Sequence, residues 1–556
     1  MPSASATSTP AEPFHLAPHL PLGEAPAGDL LVLSPPAYLG ALKTWVHWKR
    51  SDGWNVILQP LPAAATTDEV LHYIHAAFDD RLAHATDDQP AGEVLIIGDC
   101  ASGKPGATGK DRVPCGLRES PFLGDIASDL PYSLPNAKHQ PRLAVGRWPA
   151  QTAEEVAMLA DRTIFLERTP TAERTEMRNR VNFIAGAPGY SPTLDKLIEQ
   201  FAFDIITQAV PPEYELRVLY TSPTSDFATG NLVDDRAEAM GLLESGAFLT
   251  VVCSHGNLTT IAATPGHGLL NETDMAALQG NAARTHLFIF TCSCGNFANA
   301  PSGSPNAGSG AYDPKHPDRH CLAEATLLNP RGPPLVVASS SISHPLFNKY
   351  FCDILIEQVL KANPATWGEA WYRVQRRFPG YHQPELAMVL GGAEKMGDPA
   401  TAQIDHCYMY NYLGDPTLPF QAMARGLEFH AERVADADGS SGSIRIWGRP
   451  KEYPTGRASI EVLVHRDEMA KNRPRITPGM NDDQHRAVAE ERYRLSTDKS
   501  IVRAALELHG GEFSEVFHLS GSDWLRAQQV RVVIRTPDGQ AAAGVVEIPL
   551  HPESKP

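Results

Sequence analysis

No C-x-x-C pair occurs in this 556-residue chain, and its eight cysteines, at 100, 115, 253, 292, 294, 321, 352 and 407, lie scattered. That excludes a dense disulfide framework and leaves free thiols in a reducing compartment as the expectation. Basic residues are in deficit: 48 Lys and Arg against 65 Asp and Glu give a formal net charge of -17, which argues against nucleic acid or an anionic membrane as the main partner. No uninterrupted apolar run is long enough to cross a bilayer. The first 28 residues, MPSASATSTPAEPFHLAPHLPLGEAPAG, have neither a basic n-region nor an apolar h-region. They read as a disordered Ala/Pro-rich tail, and a cytoplasmic location is expected. Repeats of 20 to 50 residues are absent as well, which excludes solenoids.

What the chain does have is regular alternation. Short apolar runs such as DLLVLS, WNVILQ and EVLIIGD alternate with longer amphipathic stretches from residue 29 to about 170. This is the pattern of βαβ units and a mostly parallel sheet. It restarts at VNFIAGA and continues through ELRVLY, AFLTVVCSHG, HLFIFTCSCG and PLVVASS to about residue 425. Helices are expected between these runs, including paired helices over 346–378. From 426 to 556 the runs become short alternating strands between turn residues, as in a β-sandwich. The expected architecture is therefore α/β: two doubly wound subdomains, 29–170 and 171–425, followed by a sandwich.

Two of the apolar runs end in reactive side chains: FLTVVCSHGN ends on Cys253-Ser254-His255-Gly256, and FIFTCSCGNF on Cys292-Ser293-Cys294-Gly295. Ligands and catalytic groups of doubly wound sheets gather at the carboxyl ends of strands. A thiol on one strand end beside an imidazole on a neighbouring one is the minimum for acyl transfer by a cysteine nucleophile, and the glycines leave backbone N–H groups for an oxyanion. The bland readings are a small buried hydrophobe for each strand cysteine and a capping role for a His before Gly. Zinc is the sharper rival, since Cys253, His255, Cys292 and Cys294 would supply four suitable ligands if i and i+2 shared a strand face. On the residues alone, the choice between Cys292 and Cys294 stays open.

Taken together, the segments LAVGRWPAQTAEEVAMLADRTIFLER, SHGN, CSCGNF, CLAEATLLNPRG and YLGDPTL resemble, in order, the landmarks of the gingipain-type cysteine peptidases of the caspase-like clan, over roughly residues 29–425. The resemblance implies a caspase/gingipain-like catalytic unit followed by an immunoglobulin-like domain. It also implies Cys292 as nucleophile, His255 as general acid/base and an oxyanion site from the N–H groups of Gly256 and Cys292, with Cys294 lining the pocket. Where some gingipains carry a Glu that orients the His, this chain has Pro188, so a dyad rather than a triad is expected. Aligning TLDKLIEQF on the family's pocket helix puts Asp195 at the base of S1, which would select Arg or Lys at P1. By itself Asp195 reads equally as an acid in a helix first turn.

After the nucleophile comes a Gly/Ser/Pro-rich stretch containing Lys315 and Arg319, positions where such a peptidase could process itself. The expected function is thus an endopeptidase acting on protein or peptide substrates. Without a recognisable pro-domain it would be controlled by a protein or ligand activator or by loop processing. The alternative from another class is a catalytically silent protein-binding scaffold. No cofactor is required by this chemistry. The resemblance makes structural calcium conceivable at DDRLAHATDD or NDD, although no EF-hand spacing occurs.

Overall fold

The runs of β-branched and aromatic residues that alternate with amphipathic stretches form strands, and ten of them build one sheet. In this computed structural model they are β1 (Gly28–Ser34), β2 (Trp54–Pro60), β3 (Glu93–Ile97), β4 (Ala144–Trp148), β5 (Arg180–Ala185), β6 (Glu215–Tyr220), β7 (Leu249–Cys253), β8 (His286–Phe290), β9 (Leu335–Ser339) and β10 (Tyr410–Gly414). The structure describes residues 28–101, 108–168, 176–222, 225–300, 318–384, 398–468 and 479–548, with 313, 315, 316, 474 and 477 between them. The expected tail therefore lies outside the described residues except for Gly28.

The strand order is β2-β1-β3-β4-β10-β9-β8-β7-β5-β6. The first five of these run parallel to one another, as do the last five, but β10 pairs antiparallel with β9. The two expected α/β subdomains thus share one continuous sheet. β10, late in the chain, lies beside β4 of the first half.

Alternate residues of the central strands serve the two faces. Val251, Phe288, Phe290 and Val337 pack with helices Pro345–Ile356 and Trp367–Arg377, whereas Val252, Leu287, Ile289 and Val336 pack with Leu232–Ser245 and Leu322–Leu327. Both faces being covered explains why these strands are apolar throughout. The seam is tied by buried charge. Lys49 Nζ lies 2.5 Å from Glu167 and 3.1 Å from Asp415, the Asp of YLGDPTL. Burial disfavours the ammonium, yet Asp415 and Glu167 together hold its pKa above the ordinary value.

Beyond residue 423 a five-stranded and a three-stranded sheet share a core that includes Ile444, Ile446, Ile460, Phe517 and Val532. One correction concerns this region, which was expected to hold strands only. Asp482–Thr497 is a helix, started by a reciprocal cap between Asn481 and Gln484. It packs back onto the α/β part, where Arg492 pairs with Asp226 and the Tyr493 hydroxyl donates to Glu238. Arg466 donates to the Val210 and Pro211 carbonyls, Arg531 to Tyr214 and Arg535 to Asn179, so the two parts share a polar interface.

Candidate active site

β5, β7 and β8 are neighbours in register, with Ala185 and Phe290 opposite Cys253, so three strands end together. Just beyond, the Gly186 N–H donates to the Cys253 carbonyl at 3.0 Å. A Cβ on Gly186 would stand 2.0 Å from Ser254 Oγ, so only glycine allows the β5 and β7 extensions to run this close.

The β7 extension presents His255. Its Nε2 contacts the Pro188 carbonyl, and the Tyr190 ring lies 4.9 Å away, centroid to centroid. A carbonyl oxygen can only accept, so Nε2 carries the proton and Nδ1 is left as the basic nitrogen. The position where a Glu was missing is therefore served by main chain: Pro188 orients the imidazole through its own oxygen.

The β8 extension presents Cys292, half-buried, whose Sγ donates to the Ser343 carbonyl at 3.6 Å and lies 4.0 Å from the Ser343 hydroxyl. Ser343 Oγ accepts from Asn348 Nδ2, and Asn348 Oδ1 accepts from the Tyr410 hydroxyl at 2.6 Å. Ser343 and Asn348 are site residues that no motif announces; the only signal was their position just after a strand on the same edge. Burial pushes the Cys292 thiol pKa up, an effect the Ser343 contacts oppose.

Cys294 is a correction. It was expected to line the pocket, but it is fully buried behind Gly256, with Sγ 3.7 Å from the Thr260 carbonyl and its pKa pushed up to about 12 by burial. The cause is Ser293, whose φ of 55° turns the backbone left-handed, so Cys292 and Cys294 do not follow the strand rule of sharing a face. The zinc reading fails as well, because the four side chains point to different partners. Cys253 Sγ faces Cys352 Sγ at 3.4 Å, His255 faces Pro188 and Cys292 faces Ser343. Among the described residues those four do not form a ligand cluster.

A Cβ on Gly256 would meet Cys294 Sγ and Thr291 Oγ1, each at 2.8 Å, so the buried thiol shapes the bed on which the Gly256 backbone lies. Ala262 N–H donates to the His255 carbonyl at 3.0 Å, a pairing that leaves the Gly256 N–H out of the ladder.

His255 and Cys292 share the wall of one cavity of about 100 Å³, floored by Phe183, Phe201, Ile205, Tyr220, Phe290 and Cys352. Among its lining residues the one permanently charged side chain is Lys349, which lies 5.8 Å from the Phe201 ring centroid and pairs with Asp353. Asp195 is not part of this wall. Its carboxylate accepts from the N–H groups of Tyr190 at 2.8 Å and Ser191 at 3.3 Å, at the start of helix Pro192–Asp204. Lys315 is exposed and, among the described residues, enters no ion pair; Arg319 pairs with Asp313 and Glu272. Residues 301–312, 314 and 317 of that stretch lie outside the described residues.

The acidic stretches offered for calcium have protein partners. Asp87 and Asp88 pair with Arg376 and Arg377, and Asp482 and Asp483 stand in a helix first turn.

The sequence profile of Peptidase family C25 matches residues 24–421. No curated protein matches the chain. Among solved structures, the Arg specific cysteine proteinase gingipain R (RGPB) aligns at 16% identity and a TM-score of 0.49, covering 96% of this chain and 100% of that one. The complex of Porphyromonas gingivalis RgpB pro- and mature domains aligns at 15% identity and 0.49, covering 94% and 100%. Dimeric latent PorU from Porphyromonas gingivalis aligns at 13% and 0.34, covering 95% of this chain and 43% of that one.

Proposed function

The chain belongs to peptidase family C25 and is a cysteine endopeptidase by that membership, and we propose that Cys292 is its nucleophile and His255 its general acid/base. One observation carries this reading: the two side chains end adjacent strands and face one cavity, with the His255 proton held on the nitrogen that points to Pro188. In the reaction, His255 Nδ1 takes the Cys292 thiol proton and Sγ attacks the scissile carbonyl. The tetrahedral oxyanion is received by the N–H groups of Gly256 and Cys292. The imidazolium then protonates the leaving amine, and water hydrolyses the thioester by the same relay.

The resting thiol donates to Ser343 instead of His255, and its proton is held on by burial. This supports a site that substrate or an activator must rearrange before it turns over. Eight free cysteines support a reducing, cytoplasmic setting.

At P1 the cavity favours a bulky apolar side chain, because its walls are largely apolar and its permanent charge is the cation of Lys349. A basic P1 residue has one observation in its favour: the Tyr220 hydroxyl, on the cavity wall, is raised in pKa first by burial and then by the charges of Glu199 and Asp195. The test is a mass-spectrometric cleavage profile on an unbiased peptide mixture with wild type, Cys292→Ala, Cys294→Ala and His255→Ala. Activity should fall more than about a thousandfold in Cys292→Ala and His255→Ala but persist in Cys294→Ala. Cuts clustering after Leu, Met or Phe uphold the apolar pocket, and cuts after Arg or Lys replace it with the acidic one. Cleavage that survives Cys292→Ala would sink the nucleophile assignment.

A further inference from the structure

The first half of the sheet gives nothing to the catalytic cavity, yet its carboxyl edge carries a second cluster of reactive side chains. Asp99, two residues beyond β3, meets His320 and Glu324, which flank the start of helix Leu322–Leu327. One ligand atom from each lies within 4.8 Å of the others. Asp99 and Glu324 are buried, at 3% and 1% exposure.

The hydrogen bonds around these groups are incomplete in one direction. Asp99 Oδ1 accepts from the Cys100 N–H, and Oδ2 from Arg112 and Gln151. Glu324 Oε2 accepts from the Cys321 N–H at 2.8 Å. Glu324 Oε1 and His320 Nδ1 are both buried and make no hydrogen bond among the described residues, and Nδ1 reaches only an ion-pair distance of 3.9 Å from Glu324 Oε2. Two buried carboxyl groups face each other here. Unpartnered ligand atoms and opposed carboxylates at one point ask for a positive charge between them. Arg112 sits on Asp99 and leaves the orphaned atoms unmet.

We propose that Asp99, His320 and Glu324 bind a divalent transition metal ion, with Zn²⁺ the best fit. One imidazole nitrogen and two carboxylate oxygens make a three-ligand set suited to zinc, whereas calcium takes six to eight oxygens. The ion would join the first half of the sheet to the segment that returns from the nucleophile loop. Beside it the Leu322 N–H donates to the Leu258 carbonyl and the Ala323 N–H to that of Cys294, so the tie bears on both loops of the catalytic edge. The site needs no step of the peptidase chemistry.

The test uses the full chain carrying Cys292→Ala, so that the cavity thiol neither binds metal nor cuts. The protein is stripped with chelator, titrated with Zn²⁺ alone and separately with Mn²⁺ alone, desalted, and analysed for metal content and melting temperature. One equivalent of either ion is expected, together with a rise in melting temperature. His320→Ala and Glu324→Gln should weaken binding at least tenfold and abolish that rise, while His316→Ala, outside the cluster, should change neither. His320→Gln replaces His320→Ala should the latter fail to fold. Retention of less than a tenth of an equivalent, or retention unchanged by both site variants, would overturn the proposal.

Discussion

Cys292 lies with its thiol on the Ser343 carbonyl, and burial keeps it protonated through neutral pH. Its alkylation by iodoacetamide should therefore be slow at pH 7 and rise about tenfold per pH unit into the range above that of an ordinary thiol. Peptide mapping of the alkylated protein reads this directly. Cys294, held up to about 12, should lag behind at every pH. A rate for Cys292 that stays flat from pH 6 to 9 would mean that the resting site already holds a thiolate. At this scale the sequence was informative where chemistry follows position. A thiol and an imidazole at the ends of two apolar runs could be read as neighbours, because parallel strands in one sheet bring such ends together. The side on which Cys294 falls could not be read, since it depends on one left-handed residue, Ser293, of a type that rarely adopts that conformation. Asp195 illustrates the opposite risk. An acid aligned on a pocket helix turned out to serve the first turn of that helix.

The connection from β9 into helix Pro345–Ile356 carries Ser343 and is held by two histidines. The His344 N–H donates to His406 Nε2 at 2.8 Å, and His344 Nδ1 caps the helix by accepting from Leu346. Burial lowers the His344 pKa to about 4 and that of His406 to about 3, so both are neutral in the folded protein at pH 7. In the unfolded chain they titrate near 6.5. The unfolded state thus binds more protons as pH falls. The stability these groups contribute is complete above about pH 6.5 and is lost progressively toward pH 4 and below, on the order of 3 kcal/mol for His344 and on the order of 5 kcal/mol for His406 at full loss. Melting curves from pH 7.5 to 4 should show the decline, and His406→Gln should remove part of it. An identical decline in the variant would exclude His406 as a source. Among the elements, the strands and most helices were legible because apolar period and turn residues agree. Helix Asp482–Thr497 was missed because it interrupts a series of alternating strands. Its Asn481 cap, with two acids in the first turn, was a start signal that the surrounding pattern overrode.

For the molecule as a whole, Lys49, Glu167 and Asp415 join three distant parts of the chain at the seam of the sheet. Lys49→Met should lower unfolding free energy by about 3–5 kcal/mol, since it leaves two carboxylates buried without their cation. Denaturant titration measures this, and a loss below about 1 kcal/mol would show the cluster to be hydrated. The Asp of YLGDPTL was legible as a landmark but not as a counter-ion, because its partner belongs to a helix near the other end of the α/β part. Nor was the strand order legible: period and composition identify strands, while their neighbours depend on tertiary packing. That order has a consequence for synthesis. β10 is the last strand of the sheet to leave the ribosome, and it is the one inserted between β4 and β9, where the two halves meet. Until Tyr410–Gly414 is available, each half has an open edge where its partner belongs. A nascent chain that already carries His255 and Cys292 still lacks Tyr410, whose hydroxyl donates to Asn348 behind Ser343, so the cysteine side of the site is complete only once almost all of the α/β part has been translated.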